Sequence, residues 1–100
     1  MERRRAMRFD DLDCVLGYVI AKHRKVAKLR QEDVWIALGL TRSTYRRVES
    51  GDVRLTPERL ARLGRVIGTP GWELQRQAEE LWTGWDRTPE DELRDSLGFS

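Results

Sequence analysis

Residue types that could support catalysis or metal binding are few in this chain. Cys14 is its one cysteine, and its position within an apolar helical pattern favours a buried core role over a nucleophilic one. His23 is flanked by Lys22, Arg24 and Lys25, whose charges repel a metal cation. The sequence contains neither a C-x-x-C pair nor a glycine-rich phosphate loop after a strand. We therefore expect no enzyme, no metal site and no cofactor.

Arginine is the residue type with the clearest chemical potential. The chain has 16 arginines and 3 lysines, and a guanidinium makes planar, bidentate contacts that an ammonium group cannot make. Residues 1–66 carry 16 basic and 9 acidic side chains, whereas residues 67–100 carry 3 and 8, within a formal net charge of +2. A basic front and an acidic back indicate a nucleic-acid surface with a separate interaction end. From charge alone, an ordinary solvated surface explains the pattern equally well.

The elements that must position these arginines are helices. Apolar residues recur at helical spacing, and no alternating stretch is long enough to predict a strand. A chain of 100 residues buries roughly 65% of its unfolded surface, which is enough for one domain with one core. No run of about 20 apolar residues is present, and no long apolar segment follows the basic start. A cytoplasmic protein without a membrane span, of a bacterial cell or a phage-infected host, is the expectation.

Capping signals delimit the predicted helices. The first begins after Asp10 or Asp11, since a carboxylate accepts the free N–H groups of an opening turn. The second runs from about Gln31 to Leu38, and a glycine follows it. The next three begin at threonine caps: Thr41 for the third helix, Thr56-Pro57 for the fourth and Thr69-Pro70 for the fifth.

The C-terminal third is rich in apolar residues. A stripe at helical spacing extends the fifth helix through Leu74, Ala78, Leu81, Trp82 and Trp85. Thr88-Pro89-Glu90 would start a short sixth helix that carries Leu93 and Leu97. This surface exceeds what a five-helix core needs, so we expect dimerisation through Trp82, Trp85, Leu93 and Leu97. The competing view is that the stripe is all core and the tail is disordered.

The most informative stretch is residues 29–51, LRQEDVWIALGLTRSTYRRVESG. Two short helices joined by a glycine-containing turn predict a helix-turn-helix, whose second helix enters the major groove of DNA. The segment closely resembles the helix-turn-helix of the phage-repressor and Cro family, also called Xre-type. The resemblance covers roughly residues 12–82. Its motifs are Leu16-Gly17, Ile20, Arg24, Leu29, Gln31-Glu32, Leu38-Gly39, Thr41-Arg42-Ser43-Thr44, Val48-Glu49, Gly51, Leu60, Leu63 and Gly68-Thr69.

This resemblance implies an all-α, five-helix repressor-like domain and assigns roles by position. The implied base-contacting residues of the recognition helix are Arg42, Ser43, Arg46 and Arg47. The implied phosphate-contacting residues are Gln31, Thr44 and Arg54. An arginine fork can bind guanine O6 and N7 together, although Arg46 and Arg47 are adjacent and cannot both face one groove squarely. Glu49 is expected to pair with an arginine and to hold the helix in register.

One position departs from the family pattern. The family has a small residue, often alanine, four positions before the turn glycine, and this chain has Trp35. Such a ring must either tilt the helices apart or point into a core with small neighbours, among which Ala37 would supply space. Tyr45, where the family carries a smaller branched residue, belongs to the same repacking.

The sequence therefore divides into a basic N-terminal arm (1–9), a helix-turn-helix DNA-binding domain (10–85) and an acidic C-terminal tail or dimerisation element (86–100). The favoured function is a sequence-specific transcriptional regulator, a repressor of phage or prokaryotic type that binds a double-stranded operator as a homodimer. One alternative is a helix-turn-helix antitoxin that binds a toxin partner and regulates its own operon. Another is a protein-interaction module that has lost DNA binding.

Overall fold

The computed structural model describes residues 8–86, with the side chains of residues 85 and 86 outside the description. Five α-helices and one 3₁₀ helix follow one another, and no strand occurs within the described range. The α-helices are α1 (Leu12–Val26), α2 (Gln31–Leu38), α3 (Arg42–Ser50), α4 (Pro57–Ile67) and α5 (Gly71–Leu81), and the 3₁₀ helix covers Thr83–Asp86. The predicted all-α, five-helix fold is confirmed. The predicted sixth helix lies outside the described residues.

Side-chain caps begin three of the helices, as the sequence predicts. Asp11 Oδ1 accepts a hydrogen bond from the Cys14 backbone N–H at 3.3 Å, which identifies Asp11 as the cap of α1. Thr41 Oγ1 caps α3 through the Thr44 N–H at 3.1 Å, and Thr56 Oγ1 caps α4 at 3.2 Å. Each oxygen satisfies a backbone donor that has no partner within the helix.

The start of α5 differs from the prediction. Its N-cap is Pro70, and no side chain caps it. The Thr69 hydroxyl lies instead 3.2 Å from Nδ1 of His23, whose Nε2 donates to Gln77 Oε1 at 2.7 Å. The Thr69 side chain therefore links the segment before α5 to α1 and does not cap α5.

The end of α5 also differs from the prediction. The helix stops at Leu81, so Trp82 and Trp85 do not continue its apolar stripe. Trp82 Nε1 donates to the Asp10 carbonyl at 3.0 Å, and the Thr83 N–H donates to the Phe9 carbonyl at 2.8 Å. These two bonds turn the chain out of the helix and tie it to the segment before α1.

The five α-helices pack in a closed ring of pairs: α1 packs against α3 and α5, α4 packs against α2 and α5, and α2 packs against α3. Gly17 permits the close approach of α1 to α3. A Cβ at this position would lie 2.7 Å from the Val48 carbonyl oxygen, closer than real contacts allow. The buried core consists of Val15, Leu16, Val19, Ile20, Val34, Tyr45, Val48, Leu60, Leu63, Ile67, Leu74 and Ala78.

The unusual aromatic residues of the helix-turn-helix adopt different positions. Trp35 is half-buried and packs against the core, whereas Tyr45 is fully buried. Ala37 is exposed and therefore does not supply the space that the sequence analysis assigns to it. Cys14 is buried, in agreement with its expected core role, and its thiol donates to the Ser50 carbonyl at 3.5 Å.

No helix within residues 8–86 is both long enough and apolar enough to cross a membrane.

Candidate nucleic-acid interface

The turn between α2 and α3 is built from three residues, and its geometry depends on Gly39. This glycine has φ +69°, in the left-handed region, while the space around its Cβ position is open. Backbone conformation rather than crowding thus favours glycine here. The N–H groups of Gly39 and Leu40 donate to the Ile36 and Trp35 carbonyls at 3.1 and 2.9 Å, which closes α2.

Helix α3 divides cleanly into a buried and an exposed face. Tyr45 and Val48 are buried in the core. The four residues predicted to contact bases, Arg42, Ser43, Arg46 and Arg47, are all exposed. Arg46 follows Arg42 by four positions, so both project from nearly the same side of the helix. The first turn of α3 contains no acidic residue.

The arginines of this exposed face are available to a ligand. Within residues 8–86, the guanidinium groups of Arg42, Arg46 and Arg47 form no hydrogen bond or ion pair with another side chain. Most other arginines in that range do have carboxylate partners, as in the pairs Arg62–Glu58 and Arg76–Glu73. The concentration of unneutralised positive charge on α3 therefore suits an anionic partner.

A buried polar network fixes this helix against α1 and α2. Arg24 and Glu49 form an ion pair at 2.6 Å, and each side chain is only 9% exposed. Arg24 also donates to the Leu29 carbonyl at 2.9 Å, which anchors the chain just before α2. The hydrogen bond with Glu49 raises the pKa of Arg24 above its ordinary value, although burial opposes this shift. The expected pairing of Glu49 with an arginine is confirmed, and Arg24 is its partner.

Two further side chains, Tyr45 and Gln31, donate hydrogen bonds to the Glu49 carboxylate. Oε2 accepts from Arg24 Nε and from the Tyr45 hydroxyl, and Oε1 accepts from Arg24 Nη2 at 3.2 Å and from Gln31 Nε2 at 2.9 Å. Burial, followed by the hydrogen bond to Glu49, raises the pKa of Tyr45 far above its ordinary value. The phenol therefore remains a donor, and α3 is held by contacts from both preceding helices.

The three residues predicted to contact phosphate occupy different positions. Gln31 is the first residue of α2, and its amide group is oriented by Glu49. Thr44 is half-buried, and its hydroxyl accepts from Thr41 Oγ1 at 2.9 Å. Arg54 lies in the loop between α3 and α4, is 86% exposed and pairs with Asp13 at 3.4 Å. The network thus brings Gln31 to α3, whereas Arg54 lies beside the start of α1.

Sequence reasoning missed the role of the Tyr45 hydroxyl. A tyrosine at a core position of an amphipathic helix signals burial, but it does not by itself indicate that the hydroxyl donates to the Glu49 carboxylate. Spacing offers one signal that could have found it, because Tyr45 and Glu49 are four residues apart on one helix.

The residues predicted to form the dimer contact are described only in part. Trp82 is half-buried, and its indole N–H is used within the chain by the Asp10 carbonyl. The side chain of Trp85, and Leu93 and Leu97 entirely, lie outside the described residues. Across the described range, no three His, Cys, Asp or Glu side chains are grouped so that they could hold a metal ion.

The family model of the helix-turn-helix domain matches residues 15–77, which is more than half of the chain and spans α2, α3 and the helices that support them. The chain therefore belongs to the helix-turn-helix domain family, which is a DNA-binding family. No curated protein matches the chain significantly.

Proposed function

We propose that this chain is a sequence-specific transcriptional regulator of the phage-repressor, Xre-like type that binds a double-stranded DNA operator as a homodimer. The observation that carries the proposal is the exposed face of α3, where three arginines have no side-chain partner among residues 8–86 and lie on a helix fixed by the buried Arg24–Glu49 pair. Binding of this kind requires no catalytic step. A rigid helix is needed because sequence is read only when donors are held in register with base edges.

The proposed roles follow from position on α3 and α2. Arg42 projects from the first turn of α3, the end that enters the groove, and would read a base together with Ser43. Arg46 or Arg47 would read a second base, and the other would contact the adjacent phosphate. Gln31, Thr44 and Arg54 would contact backbone phosphates. The N-terminus of α2 adds free N–H groups that favour an anion beside Gln31.

The homodimer is proposed because one recognition helix reads only a few base pairs. Two copies related by a two-fold axis would place their α3 helices in half-sites about one helical turn apart, near 34 Å. The operator would then have two-fold sequence symmetry.

The test begins with selection of bound sites from random duplex DNA, which should return a symmetric sequence. Arg42→Ala and Arg46→Ala should then each cost about 1–3 kcal/mol of binding and relax the preference at one base pair. Arg76→Ala on α5 is the matched control, since it removes the same charge from a helix that does not pack against α3. Gln31→Ala should weaken binding to all sequences alike.

Two outcomes would reject the proposal. An unchanged preference profile for both Arg42→Ala and Arg46→Ala would mean that α3 is not the reader. A complete absence of salt-dependent DNA affinity would instead indicate a protein-interaction module with this fold.

A further inference from the structure

An open groove with a volume of about 1200 Å³ lies between the start of α1, α4 and α5. Much of its lining is apolar, and the residues that matter for this inference are Leu12, Leu55, Leu60, Ala61, Trp72 and Trp82. Trp72 is 70% exposed, although tryptophan is among the most costly side chains to leave in water. A contiguous apolar surface with an exposed aromatic ring is typical of a protein-interaction site.

The chain itself contains a segment suited to this groove. Residues 87–100 follow the 3₁₀ helix, and Trp82, a few residues earlier, lines the groove. The segment carries Leu93 and Leu97 four residues apart, which places both on one side of the predicted sixth helix. We propose that the groove of each copy receives residues 87–100 of a second copy, so that two chains exchange these segments. This inference rests on the homodimer in the proposed function and assigns the surface that forms it.

The short link before the segment favours exchange between copies. The Trp82 and Thr83 hydrogen bonds fix the chain at the edge of the domain, beside Asp10 and Phe9. From Asp86 to the predicted helix start at Pro89 the chain spans at most about 11 Å. A hinge this short favours exchange of an element between copies.

The charged lining of the groove is balanced, with three arginines and three aspartates, and Arg8 and Arg54 pair with Asp10 and Asp13. Arg65 is the lining arginine that has no carboxylate partner within residues 8–86, so an acidic residue of the segment can pair with it. The segment supplies four acidic side chains, Glu90, Asp91, Glu92 and Asp95, against two basic ones.

A reciprocal exchange forms two identical contacts around a two-fold axis, which is the symmetry that a palindromic operator requires.

The test is a complementation experiment with two variants of the full chain. The groove variant, Ala61→Arg with Trp72→Ser, changes two exposed residues and keeps the segment intact. The segment variant, Leu93→Ser with Leu97→Ser, keeps the groove intact. Sedimentation equilibrium should show that each variant dimerises at least about 30-fold more weakly than the parent, as expected when an interface anchor is lost. An equimolar mixture should form a heterodimer that is tighter than either variant alone, because one groove and one segment remain compatible.

Ile36→Ser is the matched control, since Ile36 is 65% exposed on α2 and does not line the groove. It should dimerise like the parent, and circular dichroism should show that every variant is folded. The exchange is rejected if mixing gives no heterodimer, which is the result expected when each segment covers its own groove. It is also rejected if both variants dimerise as well as the parent, which would place the dimer contact elsewhere.

The dimerisation and mixing measurements use no DNA, so their outcome is independent of the proposed DNA binding. Arg42→Ala should dimerise normally. The groove variant should bind single half-sites with unchanged base preference but lose tight binding to the two-half-site operator. If complementation succeeds while the α3 variants leave base preference unchanged, the function fails and the exchange remains.

Discussion

The Glu49 carboxylate accepts hydrogen bonds from Arg24, Gln31 and Tyr45, so both of its oxygens are saturated. These donors come from α1, α2 and α3, so the Glu49 carboxylate links α3 to both preceding helices. The same arrangement sets the direction of the Gln31 amide. An ionised carboxylate only accepts hydrogen bonds, so the NH₂ group of Gln31 points towards Glu49 and the amide oxygen points away.

Removal of one member of the buried pair should therefore be costly. Glu49→Leu leaves the Arg24 guanidinium, which is 9% exposed, without its counter-charge, and should lower the unfolding free energy by about 3–5 kcal/mol. Arg24→Met combined with Glu49→Leu removes both charges and should recover part of that loss, while the buried Tyr45 hydroxyl still lacks its acceptor. Urea denaturation of the single and double variants measures this coupling. A double variant no more stable than Glu49→Leu would show that the ion pair is not the source of the cost.

Lys28 occupies the left-handed backbone region, with φ +61°, between α1 and α2. A residue with a Cβ is strained there and glycine is not, so Lys28→Gly should preserve stability or raise it by up to about 1 kcal/mol. Lys22→Gly removes the same charge from the interior of α1 and should cost about 1 kcal/mol. Thermal unfolding of the two variants gives the comparison, and equal losses would contradict the assigned strain.

At the scale of elements, the sequence predicted α2, α3 and α4 well because their ends depend on local chemistry. Thr41, Thr56 and Gly39 act within their own turns, so their effect can be read from neighbouring residues. The ends of α5 could not be predicted in this way. Thr69 and Trp82 find hydrogen-bond partners on or before α1, more than 40 positions away, and those partners exist only after packing. Likewise, the sequence indicated a partner for Glu49, while only the packing of α1 against α3 identifies Arg24.

The crossing of α1 and α3 depends on the missing side chain of Gly17. Alanine normally stabilises a helix interior relative to glycine by roughly 1 kcal/mol, but a methyl group here would meet the Val48 carbonyl oxygen at 2.7 Å. Gly17→Ala should therefore destabilise the domain by about 1–3 kcal/mol through overpacking. Tyr18→Ala, at the neighbouring exposed position, should change little. A Gly17→Ala variant as stable as the parent in urea would mean that α1 can shift without cost.

Helix α5 carries a carboxylate whose titration should affect stability at low pH. Hydrogen bonds from Arg76 and then Gln77 lower the pKa of Glu73 to about 2. The stabilisation is therefore complete above the ordinary carboxyl pKa of the unfolded chain, about 4.5, and is lost as the pH falls towards 2. Between pH 6 and pH 3, the parent should lose more unfolding free energy than Glu73→Gln. Glu58→Gln on α4 is the control, since Arg62 is the one donor to Glu58 within the described part of the chain. Parallel pH profiles for parent and Glu73→Gln would contradict the assignment.

At the scale of the whole molecule, the charges are segregated by function. Arg76 pairs with Glu73 and Glu80 within α5, whereas the arginines of α3 are not neutralised by described side chains. DNA binding should therefore weaken steeply with salt, with a slope of log affinity against log salt steeper than about −2. Arg54→Ala should reduce the magnitude of that slope by about 1, because Arg54 is assigned to a phosphate. Fluorescence anisotropy across a salt series measures both, and a shallow slope for the parent would argue against the basic surface.

The bond between the Thr83 N–H and the Phe9 carbonyl, together with the packing of α1 on α5, also bears on how the protein is made. Helix α1 is synthesised before α3 and α5, and its buried face is covered only when both of these helices have packed against it. Because a domain folds as a unit, the nascent chain has to expose Val15, Val19 and Ile20 until the last of these helices has emerged. During synthesis, that apolar stripe of α1 is the surface that a chaperone would recognise.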